Sequence, residues 1–258
     1  MLEHHGSFNF PPDDAVLWRF MDFTKFVSLL QTRRLYFSVV AAMEDPFEGA
    51  FTRRIVEGNI TGYNSRDASK SEEDNYRQYL KDLEDMRKNT CLSCWHMNEH
   101  ESAAMWKLYL KSDEGIAIKT TFRDMAMAFE DTEDEVFAAI VNYINYDTDE
   151  YPLNNAFFPL LHKRKSFAHE AEMRLLWWYG SDHNRKVIAK ERPFGPEPEA
   201  DYTGRGRSVP VNLKALLQHV YVAPNAQRWF LDVVGASVAD AGLTCRVTQS
   251  DLLRDPVW

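Results

Sequence analysis

Hydrophobic and polar positions follow two different periods along this chain. From Val16 to Phe20 the period is two. Val16, Trp18 and Phe20 fall on one face and Leu17 and Arg19 on the other, which predicts a short strand. Behind Asp22, a natural N-cap, the period changes. Phe23, Phe26, Val27 and Leu30 recur at helical spacing, the core stripe of an amphipathic helix. Leu35 to Val40 is aromatic and β-branched again, as a pleated, half-buried strand requires. That strand runs into Asp45-Pro46-Phe47-Glu48-Gly49. Pro46 fixes its own φ and pushes Asp45 out of the helical region, so a sharp turn is predicted. Phe47, held between two carboxylates, is expected to be a buried anchor of that turn.

The remaining pattern alternates in the same way. Residues 57–71 are polar and glycine-containing and read as a loop, and 72–87 as a charged surface helix. Residues 89–96 read as a strand. Residues 102–110 read as a helix with Ser102, Met105, Trp106 and Tyr109 on one face. A strand at 115–120, a helix at 122–130 and a strand at 136–144 follow. Residues 154–167 read as a helix ending in the basic run His162-Lys163-Arg164-Lys165, where the helix dipole favours cations. Residues 172–179 form a strong strand. Residues 181–207 mix proline, glycine and charge and are expected to be a long mobile loop. Strands at 209–213, 219–224 and 245–248 and a helix at 227–241 complete the chain. No repeat period is visible. The pattern predicts an α+β fold: one domain over 1–258, its core at about 16–224, with a mixed or split β-sheet surrounded by helices.

Composition narrows the function. Of 258 residues, 45% are hydrophobic and 13% aromatic, enough for a substantial core. The formal net charge of -9 opposes a general binder of nucleic-acid backbones. Three cysteines make no disulfide framework and suit a reducing cytoplasm. The N-terminus lacks a signal pattern and no apolar run is long enough to span a bilayer, so a cytoplasmic location without membrane attachment is expected.

Cys91-Leu92-Ser93-Cys94-Trp95-His96 has the residue types of a zinc half-site, but no second half follows, and on a strand Cys91 and Cys94 face opposite ways. No metal is expected. Gly204-Arg205-Gly206-Arg207 joins no strand to a helix opening and reads as a flexible basic loop. The stretch from Glu170 to Arg174 is more telling. In extended form Glu170, Glu172 and Arg174 share one face and Ala171 and Met173 the other, so a charged trio stands at the mouth of a buried strand. It is either a salt-bridged rim or a catalytic carboxylate held rigid by the sheet. Arg19, in a mostly apolar strand, needs a partner, for which Asp45 or Glu48 would serve. Trp106 and Tyr109 are core residues or a ligand platform.

Six segments together resemble one family: Leu17-Trp18-Arg19-Phe20; Leu35-Tyr36-Phe37-Ser38; Asp45-Pro46-Phe47-Glu48-Gly49; Cys91 to Trp95 with Asn98; Met105 to Tyr109 with Gly115 to Ile118; and Lys165-Ser166-Phe167 with Glu170, Glu172 and Arg174. In this order they resemble the bacterial domain-of-unknown-function 2971 family. The chain departs from it at Glu44, where Asn usually precedes the Asp-Pro. A more distant similarity of pattern is to the ADP-ribosyltransferase superfamily. It implies a split sheet clasping NAD, with Arg19 on the first strand, Ser38 on the second and Glu172 as the catalytic glutamate. Tyr36, Trp106, Tyr109, Asp45 and Glu48 would join Arg19 and Ser38 in holding NAD. It further implies NAD-consuming transfer to an unidentified protein, nucleic-acid or small-molecule acceptor, or to water. A toxin or phage-defence effector restrained by an antitoxin or other partner protein would fit. The other readings are a non-catalytic ligand- or partner-binding module, and a metal-dependent nuclease using Asp45, Glu48 and Glu172.

Overall fold

The computed structural model describes residues 2–62, 72–110, 113–191, 206–254 and 256. The chain begins with β1 (Leu2–Glu3), β2 (Val16–Asp22), α1 (Phe23–Thr32) and β3 (Arg34–Val39). Asp22 caps α1, its side chain accepting the Lys25 N–H at 2.8 Å, and Arg33 in the left-handed region ends it. Two helices, α2 (Arg53–Gly62) and α3 (Glu72–Asn89), lead to β4 (Thr90–Met97). Next come α4 (Ala103–Tyr109), β5 (Gly115–Thr121), α5 (Phe122–Ala128), β6 (Val136–Ile140) and β7 (Asn142–Ile144). Then follow β8 (His162–Arg164), β9 (Glu172–Trp178), α6 (Asp182–Glu191), β10 (Arg207–Pro210) and α7 (Leu213–Leu216). Last are β11 (His219–Val222), α8 (Arg228–Asp240) and β12 (Arg246–Gln249). No helix among the described residues is long and apolar enough to cross a membrane.

The architecture is α+β. Its main sheet has the order β1-β6-β9-β4-β2-β5-β11-β12, with β3 and β10 branching from β4. The sheet is mixed: β1 with β6 and β11 with β12 are parallel, and the other pairs in it are antiparallel. β4 is the pivot. One edge pairs with β9 over its whole length. The other edge is divided: Met97 and His96 pair with β2, whereas Leu92 and Cys91 pair with β3. The sheet therefore forks along β4.

Alternation along the strands sorts the two faces. Cys91, Trp95, Met173, Leu175 and Trp177 join the large core with α1, α5 and α8. Leu92 and Leu176, on the other face, join a smaller cluster with Phe157, Leu160 and Leu161. That smaller cluster covers only part of its face. Glu172 and Arg174 occupy the same face nearer the start of β9, and there the apolar cover stops.

Three predicted elements come out differently. Residues 154–167 do not form one helix: two short 3-10 turns, Phe158–Leu161 and Lys165–Glu170, flank β8. The basic run is thus partly extended, and Pro159 at the first turn marks where the helical reading fails. The loop expected at 57–71 is helical as far as Gly62, and its remainder lies outside the described residues. The loop expected at 181–207 opens as α6, anchored by Asn184, whose side-chain amide donates to the Trp178 and Glu135 carbonyls. Residues 192–205 lie outside the described residues. Arg207 is no flexible basic residue either, because it starts β10 buried against Asp134, at 2.8 Å, and Glu191, at 2.6 Å.

Candidate functional site

Where β2 parts from β4, the next residue is Arg19. Its guanidinium spans the fork. One terminal nitrogen donates to the Ser93 hydroxyl on β4 and the other to the Tyr36 carbonyl on β3, at 3.0 Å. The plane lies 5.6 Å from the centroid of the Trp95 ring. Neither Asp45 nor Glu48 pairs with it: Asp45 binds Arg164 and Glu48 binds Arg174. Arg19 has no carboxylate partner among the described residues, and burial lowers its pKa from the ordinary arginine value. A desolvated cation held only by neutral groups is a ready site for an anion.

Arg19 opens onto a cleft of about 960 Å³ that also takes in Tyr36, Ser38, Asp45, Glu48, Cys94, His96, Tyr109, Lys163, Glu170, Glu172 and Arg174. Its acidic end is a buried ionic network. The five N–H donors of Arg174 are all engaged. Nε and one terminal nitrogen donate to Glu172 at 2.8 and 3.2 Å, both terminal nitrogens donate to Glu48 at 2.8 Å, and one also donates to the Leu160 carbonyl at 2.5 Å. Lys163 Nζ lies 2.6 Å from Glu170, 3.3 Å from Glu172 and 3.4 Å from Glu48. Three carboxyl groups face two cations.

Burial alone would raise the Glu172 carboxyl, but Arg174 and Lys163 outweigh it and bring the pKa down to about 2. Glu172 is therefore ionised at neutral pH. Glu170 moves the other way, raised first by burial. Burial works against the Lys163 charge, yet the surrounding carboxylates hold that ammonium above its ordinary range. The Cys94 thiol, beside Glu172, is pushed well above its usual range by burial and by that carboxylate, so it stays protonated.

The acidic turn forms the cleft wall. Asp45 Oδ1 accepts the Phe47 N–H at 3.1 Å and the Arg164 guanidinium at 2.8 Å, whereas its buried Oδ2 has no partner. Opposite Glu172 in the strand register stands His96, whose Nδ1 lies 2.5 Å from the Glu170 carbonyl oxygen. Its Nε2 is likewise buried without a partner. Tyr109, half exposed, also lines the cleft. Ser93, which holds Arg19, and His96 are three residues apart on β4, about 10 Å at the rise of a strand, and their side chains leave opposite faces of it.

Arg19, Tyr36, Ser38, Asp45, Glu48, Tyr109 and Glu172 thus line one cleft. Trp106 does not. It is a core residue, packed edge-to-face on Phe20 at 5.0 Å, with its indole N–H on Glu101 at 3.0 Å. Phe47 is no buried anchor: it is 36% exposed, under the Arg164 guanidinium at 4.5 Å and beside Tyr146. Glu48 is engaged wholly within the protein. Sequence reasoning missed Lys163, because the basic run reads as a helix end, and missed His96 outside its metal context. Alternation along β4 was the available signal for His96, since it sets Cys94 and His96 on the face away from Cys91. Among the described residues no group of three or more His, Cys, Asp or Glu side chains is arranged to hold a metal ion.

No family model matches the chain, and no curated protein matches it. The resemblance of its segments to the domain-of-unknown-function 2971 family therefore has no matching family model behind it. Among solved structures, the chain is similar to Thermus sp. 2.9 DarT in complex with carba-NAD+, with a TM-score of 0.36 and 6% sequence identity, over 93% of this chain and 97% of that chain.

Proposed function

We propose that the forked-sheet cleft binds NAD and that the protein cleaves its nicotinamide–ribose bond, in the manner of an ADP-ribosyltransferase. One observation carries the reading: a cation without a carboxylate partner, Arg19, and a buried ionised carboxylate, Glu172, line the same cleft with Ser38 and the rings of Tyr36 and Tyr109. NAD is a ligand of matching polarity, with an anionic pyrophosphate and a cationic pyridinium. Arg19 takes pyrophosphate or ribose oxygens. A tyrosine face takes the pyridinium, a contact of about 0.5–2 kcal/mol. Cleavage passes through an oxocarbenium-like state, as glycoside cleavage does. Nicotinamide leaves neutral and needs no strong acid. The ionised Glu172 carboxylate, held in place by Arg174 and Lys163, stabilises the positive charge growing on the sugar.

An enzyme that consumes NAD or marks a cellular target suits a toxin or defence effector working in the cytoplasm and held in check by a partner protein. Incubation of the protein with NAD tests the reaction. Nicotinamide is released by the wild type, not by Glu172→Gln, and Arg19→Ala raises the Kd for NAD at least tenfold. A wild-type protein that neither releases nicotinamide nor gains thermal stability with NAD overturns the reading.

A further inference from the structure

The far end of the main sheet carries a second set of basic side chains, apart from the cleft. Residues directly opposite one another on neighbouring strands share a face. The register places Trp18 of β2, Lys119 of β5, His219 of β11 and Arg246 of β12 in one such row. α4 lies over β2, with Trp106 against Phe20. Beyond it the row stays open: Lys119 and His219 are half-buried and Arg246 is exposed. His219 stands four strands from Glu172, roughly 19 Å at the usual strand spacing.

Carboxylates do not answer these two charges. Neither Lys119 nor Arg246 has an acidic partner among the described residues, although the chain has 39 acidic side chains against 30 lysines and arginines. The Lys119 ammonium lies 5.0 Å from the centroid of the Trp18 ring, which steadies it without neutralising it. Two carboxylates act on the neighbouring Tyr221. Glu101 holds the Trp106 indole N–H at 3.0 Å, and Asp251 is exposed.

Between the cations the His219 ring is held in place. It stacks on Tyr221 at 4.1 Å, and Tyr221 in turn meets Trp18 at 5.1 Å. Its Nε2 is 2.8 Å from the Thr248 hydroxyl. Burial, Arg246 and Lys119 all lower its pKa, so the ring is neutral at pH 7. Two uncompensated cations thus flank a pair of neutral hydrogen-bonding groups.

We propose that the row of Lys119, His219 and Arg246 is a second anion site, which takes the phosphate group of a small phosphomonoester. Such a group is close to doubly charged at pH 7 and offers three terminal oxygens. The Arg246 fork takes two of them and Lys119 meets the third as a point charge. The Thr248 hydroxyl and the imidazole supply neutral hydrogen bonds. A carboxylate, with one charge, would leave one cation unanswered. A phosphodiester would do the same.

The imidazole resonances of His219, assigned by comparison with His219→Gln, report on this site directly. At fixed neutral pH and constant ionic strength, phenyl phosphate moves them saturably, with a Kd of about 1 mM or tighter. Inorganic phosphate binds more weakly, and dimethyl phosphate, a diester, does not saturate. Lys119→Gln and Arg246→Gln each weaken phenyl phosphate at least about fivefold without lowering the melting temperature. Arg19→Ala leaves its affinity unchanged, which separates this site from the cleft. No saturable shift with phenyl phosphate overturns the proposal, as does an unchanged affinity in either row variant. Inorganic phosphate binding as tightly as phenyl phosphate would leave no monoester site. Dimethyl phosphate binding equally well would mean a simple basic surface. Loss of binding in Arg19→Ala would return the ligand to the cleft, and each of these results overturns the proposal too.

Discussion

Arg174→Lys separates charge from geometry at the centre of the site. The charge stays, so the balance of three carboxylates and two cations is unchanged. What goes is the fork. Arg174 uses all five of its N–H donors, on both oxygens of Glu48, both oxygens of Glu172 and the Leu160 carbonyl. An ammonium has three donors radiating from one point and cannot pair bidentately with two carboxylates. At least two charge-assisted hydrogen bonds are lost at a position with no solvent exposure. At about 1.5–3 kcal/mol each, the loss is about 3–6 kcal/mol. That is a large part of the roughly 5–15 kcal/mol that holds a typical domain folded. Urea denaturation at neutral pH measures it. A cycle with Glu48→Gln shows whether the two residues act together, with an expected coupling above about 1 kcal/mol. An Arg174→Lys variant within about 1 kcal/mol of wild type refutes the reasoning, because the five bonds would then contribute nothing that a point charge does not.

Two other outcomes follow from the same site. Glu172 has a folded pKa of about 2 against an ordinary 4.5, so the unfolded chain binds its proton more readily; the stability it confers is complete above about pH 4.5 and is lost as pH falls towards 2. The difference is on the order of 3 kcal/mol, with Glu170, raised by burial, acting in the opposite sense; urea midpoints at pH 7, 4 and 3 should fall less steeply in Glu172→Gln, and an equal fall in both proteins would sink the assignment. Phe47→Ala removes a ring that is 36% exposed, so its loss is about 1–2 kcal/mol; a measured loss above 3 kcal/mol would mean that the ring supports the turn far more than its packing shows.

Strand and helix segments were legible from the types and spacing of their side chains, even though β2 and β9 are buried on both faces. The strand at Val16 to Phe20, the helix behind Asp22 and the β9 strand stand where the pattern puts them, but the buried stripe of α1 is Phe26, Leu29 and Leu30, with Phe23 and Val27 only partly covered. The 154–167 segment was not legible. Its residues satisfy a helical period and a strand equally over so short a run, and the parallel pairing of β8 with β7 decides between them. That pairing comes from residues about 20 positions upstream, which a local window does not contain. Misreading it hid Lys163, since a lysine at a helix end needs no partner while a lysine on a buried strand does. The partner of Arg19 was illegible for a different reason. A charge in an apolar strand announces that something must answer it, and Asp45 and Glu48 were reasonable candidates. Only the three-dimensional pairing shows that Arg164 and Arg174 had already taken them.

The fork explains why the unanswered groups gather in one place. Where β2 leaves β4, the ladder that would satisfy their facing edges stops, and side chains must take over. Arg19 does this on one side, capping the Tyr36 carbonyl of β3. Its positive charge has no function in that hydrogen bond, which a neutral donor would make equally well. Elsewhere in the described residues, buried cations are matched: Arg174 with Glu48 and Glu172, Lys163 with Glu170, Arg207 with Asp134 and Glu191. The cleft alone combines an unmatched cation with two unmatched buried acceptors, His96 Nε2 and Asp45 Oδ2. The Thr90 hydroxyl and the Nε atoms of Arg87 and Arg164 are also unpaired, on residues outside the cleft wall, and nothing in the structure explains them. An unsatisfied buried polar atom costs about 1–3 kcal/mol. Arg19 differs from the two acceptors, which are closed off from the cleft: it opens onto the cleft and has hydrogen-bond partners there but no counter-charge among the described residues. An anion in the cleft would supply that counter-charge.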